Sequence, residues 1–390
     1  MVPKVVLAVA VVVTKSRLQY WLLAVLLLTA LSARAAILPE DRADVLFHSY
    51  DGGGVTIEGP SILVRKQIGD DFSVYGNYYV DTVTSASIDV VATASPYTEE
   101  RTEYGTGVDY LRDNVTLSAS YTQSEENDFL AKSMHFGVSQ EVFGGLTTVS
   151  LGYSRGWDEV GIRDNDVFEE EAEREHYRIG LSQIITKNMI MQFNVEGISD
   201  EGYLNNPYRS VRYVNAADPK GFTYEPELYP NTRTSLSIAL RGKYYLPYRA
   251  AIHAEYRNFS DTWGIKADTF EIGYTHPFLK NWIADFRIRS YAQTQANFYS
   301  DLFASSEEFT QRGRDKELST FSSFTVGAGI SYEFAHGWGF VDKASVNLSY
   351  DHIQFDYDNF HDATLGFELG EEPLYSFDAD VIQFFVSVWY

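Results

Sequence analysis

The sequence closes on Val381-Ile382-Gln383-Phe384-Phe385-Val386-Ser387-Val388-Trp389-Tyr390. A strand sends alternate side chains to opposite faces, so Ile382, Phe384, Val386, Val388 and Tyr390 share one face, and all five are apolar or aromatic. Gln383 and Ser387 interrupt the other. No later segment of this sequence covers the apolar row, so hydrocarbon is its expected cover. The competing reading is an edge strand of a soluble sandwich, and the remaining strands must decide between the two.

Composition narrows the field. Length allows two or three domains at 390 residues, but aromatics make up 15% of the chain, too many for disorder. Cysteine is absent, which excludes disulfides, thiolate metal sites, cysteine catalysis, a lipoprotein anchor and c-type haem attachment. The formal charge of −23 speaks against a nucleic-acid partner, because phosphate binding needs a basic surface. Mean hydropathy is only −0.22, and beyond the N-terminus no apolar run approaches the roughly 20 residues of a spanning helix. A membrane-spanning chain of this kind must cross as a barrel.

Lys15 and Arg17 precede the apolar run at residues 20–31, and Ala33-Arg34-Ala35 places small residues where a signal peptidase reads. A secretory signal peptide over residues 1–35 is expected, with cleavage after Ala35; a membrane anchor is the alternative, for which the run is short. The second apolar run at residues 1–13, ahead of the basic residues, points to an over-extended start. Removing Lys4, Lys15, Arg17 and Arg34 takes the charge of residues 36–390 from −23 to −27.

From residue 36 onward, segments of roughly ten residues alternate with period two, the pattern of a transmembrane barrel strand. Val115, Leu117, Ala119 and Tyr121 oppose Thr116, Ser118, Ser120 and Thr122; Met189, Met191, Phe193 and Val195 oppose Gln192, Asn194 and Glu196. Leu236, Ile238 and Leu240 oppose Ser235, Ser237 and Arg241, and Phe324, Val326, Ala328 and Ile330 oppose Ser323, Thr325 and Gly327.

Connections alternate as well. Short turns are expected at residues 69–71, 113–114, 143–145, 187–188, 247–249, 279–281 and 335–339. Between them run long polar links at residues 84–99, 158–173, 201–231, 297–316 and 357–373, with brief ones only at 127–128 and 263–264. Every tight turn falls on the side of the C-terminus, as in barrels with short periplasmic turns and long outer loops. The count closes at sixteen antiparallel strands if residues 44–50 form the first, and fourteen is the other solution. Trp157, Trp263, Trp282 and Trp338 flank strands, where aromatic girdles would sit at the membrane interfaces.

The chain resembles a bacterial outer-membrane family catalogued as domain of unknown function 3570. The likeness is carried by Asp51-Gly52-Gly53-Gly54, Leu63-Val64-Arg65-Lys66-Gln67, Arg314-Asp315-Lys316-Glu317-Leu318 and residues 85–91, 95–101, 124–128, 151–158 and 205–213. It implies an up-and-down outer-membrane β-barrel over residues 36–390 and supplies no activity. The final strand itself is similar to the assembly signal of Gram-negative outer-membrane barrels, with Phe384, Val386, Val388 and Tyr390 as its residues. Outer-membrane lipid, lipopolysaccharide, the barrel-assembly machinery and a periplasmic protein are the partners this implies.

If the apolar rows face lipid, the opposite rows bring charge into the lumen. Glu196, Arg241, Lys243, His253, Glu255, Arg257, Glu271, Asp285, Arg287 and Arg289 lie on nearby strands, within reach of one another. They read either as a constriction that selects among solutes or as an ion-pair ladder that only satisfies the lumen. A metal or acid/base site at His253, Glu255 and Asp285 follows no recognisable ligand spacing. Gly152-Tyr153-Ser154-Arg155-Gly156 is no nucleophile elbow, since Ser154 sits inside an alternating strand, and Asp51-Gly52-Gly53-Gly54 lacks the Lys-Ser/Thr of a phosphate loop. No catalytic residue and no cofactor is expected.

The outer loops hold the acid. Glu125, Glu126 and Asp128 fall in one, and Asp158, Asp164, Asp166, Glu169, Glu170, Glu171, Glu173 and Glu175 in another; they read as solvated charge or as ligands for divalent cations bridging lipopolysaccharide. Residues 201–231, rich in Tyr, Arg, Asn and Pro, suit a packed loop that folds inward as a plug or outward as a cap. With residues 297–316 they are the expected ligand contact. The functional expectation is a channel or transporter passing small solutes or a specific cargo. Its rivals are a non-conducting barrel that docks a partner through acidic loops, and a barrel enzyme.

Overall fold

The computed structural model describes residues 36–85, 97–165, 167–306, 308–334, 337 and 339–390. The expected signal segment 1–35, residues 86–96 of one long link, Asp166 and Trp338 lie outside these residues.

Sixteen strands close one antiparallel barrel. They are β1 (Arg42–Gly52), β2 (Val55–Ile68), β3 (Phe72–Ser85), β4 (Tyr97–Arg112), β5 (Val115–Glu125), β6 (Phe129–Val142), β7 (Thr147–Gly161), β8 (Glu169–Thr186), β9 (Met189–Gly202), β12 (Thr232–Tyr245), β13 (Ala251–Asp261), β14 (Lys266–Phe278), β15 (Trp282–Gln293), β16 (Phe321–Phe334), β17 (Lys343–His361) and β18 (Leu374–Trp389). Between β9 and β12 a separate hairpin, β10 (Ser210–Val214) and β11 (Phe222–Pro226), stands apart from the barrel sheet. Each strand pairs with its sequence neighbours, and β1 pairs with β18, so no edge is left open. This closure is what a bilayer demands, because backbone groups in hydrocarbon have no water to bond.

Both termini of the barrel lie at one end with short turns, and the long links lie at the other, together with brief turns at residues 53–54, 126–128 and 262–265. The first strand is the one anticipated at residues 44–50, which settles the count at sixteen. Gly53 and Gly54, at φ 59° and 77°, both adopt the left-handed conformation and make the two-residue turn of the first hairpin.

The outward rows are those the alternation named. Phe384 and Ile382 are each 44% exposed on the bare protein, and their register partners Phe47 and Ser49 point the same way. Leu236, Ile238, Phe286, Ile288, Phe324 and Val326 continue the belt. Covering each large side chain with lipid tails contributes on the order of 2 kcal/mol. At the short-turn end Trp282 packs 4.6 Å from Tyr332 in a girdle position, and Trp157 stands beside Arg155 on the outward row near the long-link end.

Two expectations fail. Trp263 belongs to no girdle: it is 6% exposed and packs inside, with Phe298 and Tyr229, while its indole N–H donates to Thr232 O at 2.9 Å. The brief turn that carries it bends over the bore and away from lipid. The acid-rich link at residues 158–173 is also shorter than its composition suggested, since Glu169 to Glu175 belong to β8. Their partners on β7 and β9 keep alternating beyond the apolar belt, and Arg155–Glu173 at 2.8 Å and Arg174–Asp200 at 2.5 Å extend the ladder.

Candidate functional site

Register places all ten residues of the anticipated charge cluster on the lumen face. One row crosses β12 to β16 as Arg241, Glu255, Glu271, Arg289 and Thr325; the next, nearer the short turns, runs Lys243, His253, Gly273, Arg287, Gly327 and, on β17, Asp351. Arg257 and Asp285 flank these rows on β13 and β15.

The cluster is partly paired. Arg241 reaches Glu255 at 2.6 Å and approaches Glu271 at 3.9 Å, His253 meets Glu271 at 3.1 Å, and Arg257 donates to Glu196 at 2.8 Å. Arg287 pairs with Asp351, crossing over Gly327 on the intervening strand. A Cβ at Gly327 would stand 2.1 Å from the Asp351 carboxylate and 2.7 Å from Arg287 Cγ, so only glycine leaves room for that bridge. Gly273 does the same for the His253 ring. Lys243 and Arg289 make no ion pair or hydrogen bond with any described residue, and the carboxylate of Asp285 is met by the Thr275 hydroxyl at 2.5 Å. The side chains of Arg241, Lys243, His253, Glu271, Asp285 and Arg287 border a cavity of about 430 Å³.

Several lumen residues escaped the sequence reading. Asp351 was legible in principle, because Asn347, Ser349 and Asp351 alternate with Val346, Leu348 and Tyr350. Arg178, 3.9 Å from Glu196, was hidden in a strand read for its acids. Across the bore Arg65 pairs with Asp109, and His48 meets Asp81 at 2.7 Å. Ser154 faces the lumen, and its hydroxyl is 2.9 Å from His135 Nδ1.

The links at residues 203–231 and 294–320 pack on one another. The β10–β11 hairpin and residues 294–320 are stitched together by bridges at Tyr213–Phe303 and Leu228–Arg312. Arg212, 1% exposed, donates to Asp301 at 2.6 Å and Glu372 at 2.5 Å, tying three connections at one point; Arg314 and His361 reach the same Asp301 at 3.0 Å. Removing one partner from such a buried set leaves an uncompensated charge, which costs about 3–5 kcal/mol. Glu227, 3% exposed, accepts from the Tyr229 hydroxyl and the Arg314 and Asp315 amides at 2.5, 2.6 and 2.8 Å. Burial, and then the nearby Asp315 charge, push its carboxyl up to about 7.

Below this plug lies a second cavity of about 960 Å³. Leu204, Tyr229 and Lys316 line it from the loops, Arg289 and Arg257 from the charged rows, and Tyr50 and Ile57 from the far side of the barrel. Of residues 201–231, Leu204 and Tyr229 thus reach inward to the bore, while the β10–β11 hairpin packs on the other links.

Residues 163–352 match the model of a family described as "Protein of unknown function (DUF3570)", and no curated protein matches the chain. The matched stretch holds all ten residues of the charge cluster and two of the resembling segments, 205–213 and 314–318; the others lie outside it. Among solved structures, a "bacterial polysaccharide outer membrane secretin" is 8% identical, with a TM-score of 0.50 over 90% of this chain and 100% of that one. OmpT, an outer membrane protein of Vibrio cholerae, is 11% identical at TM-score 0.42, covering 91% of this chain and 100% of its own. A Pseudomonas aeruginosa FadL homologue is 11% identical at TM-score 0.40, covering 90% of each chain. At such identities the first likeness concerns the fold alone. The chain is a closed sixteen-stranded barrel of the outer-membrane type, and its residues 163–352 match the DUF3570 family of unknown function.

Proposed function

We propose that the protein resides in the outer membrane, exported by its signal segment, and passes small hydrophilic solutes through the charged lumen under control of the plug. The observation that carries this reading is the pair of cations without partners. A ladder built only to satisfy the lumen would use every member, whereas Lys243 and Arg289 stay unengaged among the described residues and border the two cavities. Fixed charges presented to a water-filled passage select by sign, so anions are the preferred cargo. No catalytic role is assigned to any side chain.

The test is current through the purified protein in planar bilayers under a salt gradient. The expected result is discrete steps with a reversal potential on the anion side, enlarged when Arg212→Ala loosens the plug. The packed plug favours a second reading, a non-conducting barrel that docks a partner through its acidic loops and needs only lipid, lipopolysaccharide and the assembly machinery around it. Absence of steps, even with residues 203–231 deleted, would replace the channel with that reading.

A further inference from the structure

The cavity beneath the plug has a wall unlike the rest of the bore. One register row runs from Tyr291 on β15 through Ser323 on β16 to Phe355 on β17 and Phe377 on β18, all facing inward. Phe355 and Phe377 stack with centroids 4.6 Å apart, and Phe321, one step toward the loops, is 5.6 Å from Tyr291 and 6.4 Å from Phe355. Strands lie about 4.8 Å apart, so the band extends roughly 15 Å around the bore. That is longer than a single six-membered ring. One step toward the short turns stand Arg289 and Thr325, paired in register.

The hydroxyls of Ser323 and Thr325 and the guanidinium of Arg289 have no hydrogen bond to any described residue. Arg289 sits opposite Glu271 in register, yet that carboxylate is already engaged by His253 and Arg241. A cation is thereby left at the foot of an aromatic band, with hydroxyls interleaved. Aromatic faces are electron-rich and attract polarised C–H groups, while the interleaved hydroxyls need partners on the edge of the same ligand. Few molecules offer flat apolar faces, a hydroxylated rim and a negative charge together. A volume of about 960 Å³ lies within the range of ligand sites.

We propose that this chamber binds an acidic oligosaccharide, its ring faces lying along Tyr291, Phe355 and Phe377 and its carboxylate held by Arg289. The proposal rests on the reading that the lumen admits solutes, and it names their class. A purely aromatic acid would use the rings and the arginine but leave Ser323 and Thr325 unanswered.

The probe is trigalacturonate, titrated calorimetrically into the detergent-folded full chain, with maltotriose as the neutral sugar and citrate as an anion without sugar rings. Trigalacturonate is expected to bind at least about tenfold more tightly than either control, a charge-assisted hydrogen bond being worth that factor. Arg289→Gln should weaken it about tenfold, Arg289→Lys much less, and Phe355→Leu severalfold, each variant retaining the gel mobility of a folded barrel. Equal binding of citrate would reduce the site to a general anion trap, and equal binding of maltotriose would remove the role of Arg289. Either result, or no binding of trigalacturonate, overturns the proposal. Because the titration needs no current, a chain that binds but does not conduct sinks the channel and keeps the site, whereas one that conducts but does not bind does the reverse.

Discussion

The two halves of the lumen wall are built on opposite plans. From β12 to β17 two inward rows carry Arg241, Glu255, Glu271, Arg289, Arg287 and Asp351, and cavities open against them. From β4 to β7 most inward positions at mid-barrel are small and uncharged, among them Gly107, Ser118, Ser120, Gly137, Ser139, Ser150 and Gly152; Asp109, neutralised by Arg65, and His135 are the exceptions. On the first wall glycine serves the charges: Gly327 lets Arg287 cross a strand to Asp351, and Gly273 makes room for the His253 ring. On the second, small side chains keep space free. A bore with charge on one side and room on the other orients a passing solute toward the charge, which a symmetric ring would not do.

The largest expected effect comes from inverting the charged wall at its two unengaged cations. Lys243→Glu with Arg289→Glu should turn an anion preference into a cation preference, about a tenfold change in permeability ratio, read as a reversal potential of opposite sign. If the sign stays, the lumen charge does not govern passage. A smaller change is expected from making the second wall resemble the first: Ser120→Arg should lower single-channel conductance about two- to threefold and raise anion preference, by occupying space and adding charge. Conductance unaltered by that substitution would show that the β4–β7 side is not the open one. Next, Asp351→Asn releases Arg287 and should shift selectivity modestly toward anions, with loss of thermal stability on the order of 1–3 kcal/mol from the broken pair.

Plug and barrel differ in how they answer to pH. Glu227 holds its proton in the folded plug to about pH 7, whereas in an opened plug it titrates near its ordinary 4.5. Between these values the closed plug binds more protons, so its stability is fully present at low pH and falls as pH rises toward 7. Loop proteolysis and spontaneous opening should therefore be slower at pH 5 than at pH 8, and Glu227→Gln should abolish Glu227's share of that difference. A difference unchanged in the variant would place the titration elsewhere. The smallest effect on passage itself is expected at the end of the chain, where Tyr390 donates to Arg65 O at 3.2 Å and Lys66 stands 4.8 Å from its ring. Removing Tyr390 should lower the yield of assembled barrel several-fold while leaving the conductance of what does assemble unaltered.

The barrel was legible because its rule is local. Alternation along Val115–Glu125 or Phe321–Phe334 reports which face meets hydrocarbon without reference to any other segment, and turn parity then orders the strands. The charged wall followed from the same rule, since adjacent strands that all alternate must align their polar rows. What the rule could not reach was the plug. Arg212 meets Asp301 and Glu372 at separations of 89 and 160 residues, and those links carry no periodicity to announce the contact. Trp263 was misplaced for the same reason: a tryptophan beside a strand end looks alike whether its turn leans outward to lipid or inward over the bore.

The absence of native cysteine allows the central claim to be tested directly, with single cysteines reporting which face is wet. Under a recorded current, a charged, membrane-impermeant thiol reagent should react with Lys243→Cys and reduce the conductance, while Leu240→Cys, on the same strand but the opposite face, should neither react nor change it. Reaction at Leu240→Cys, or none at Lys243→Cys, would contradict a water-filled lumen lined by the charged rows.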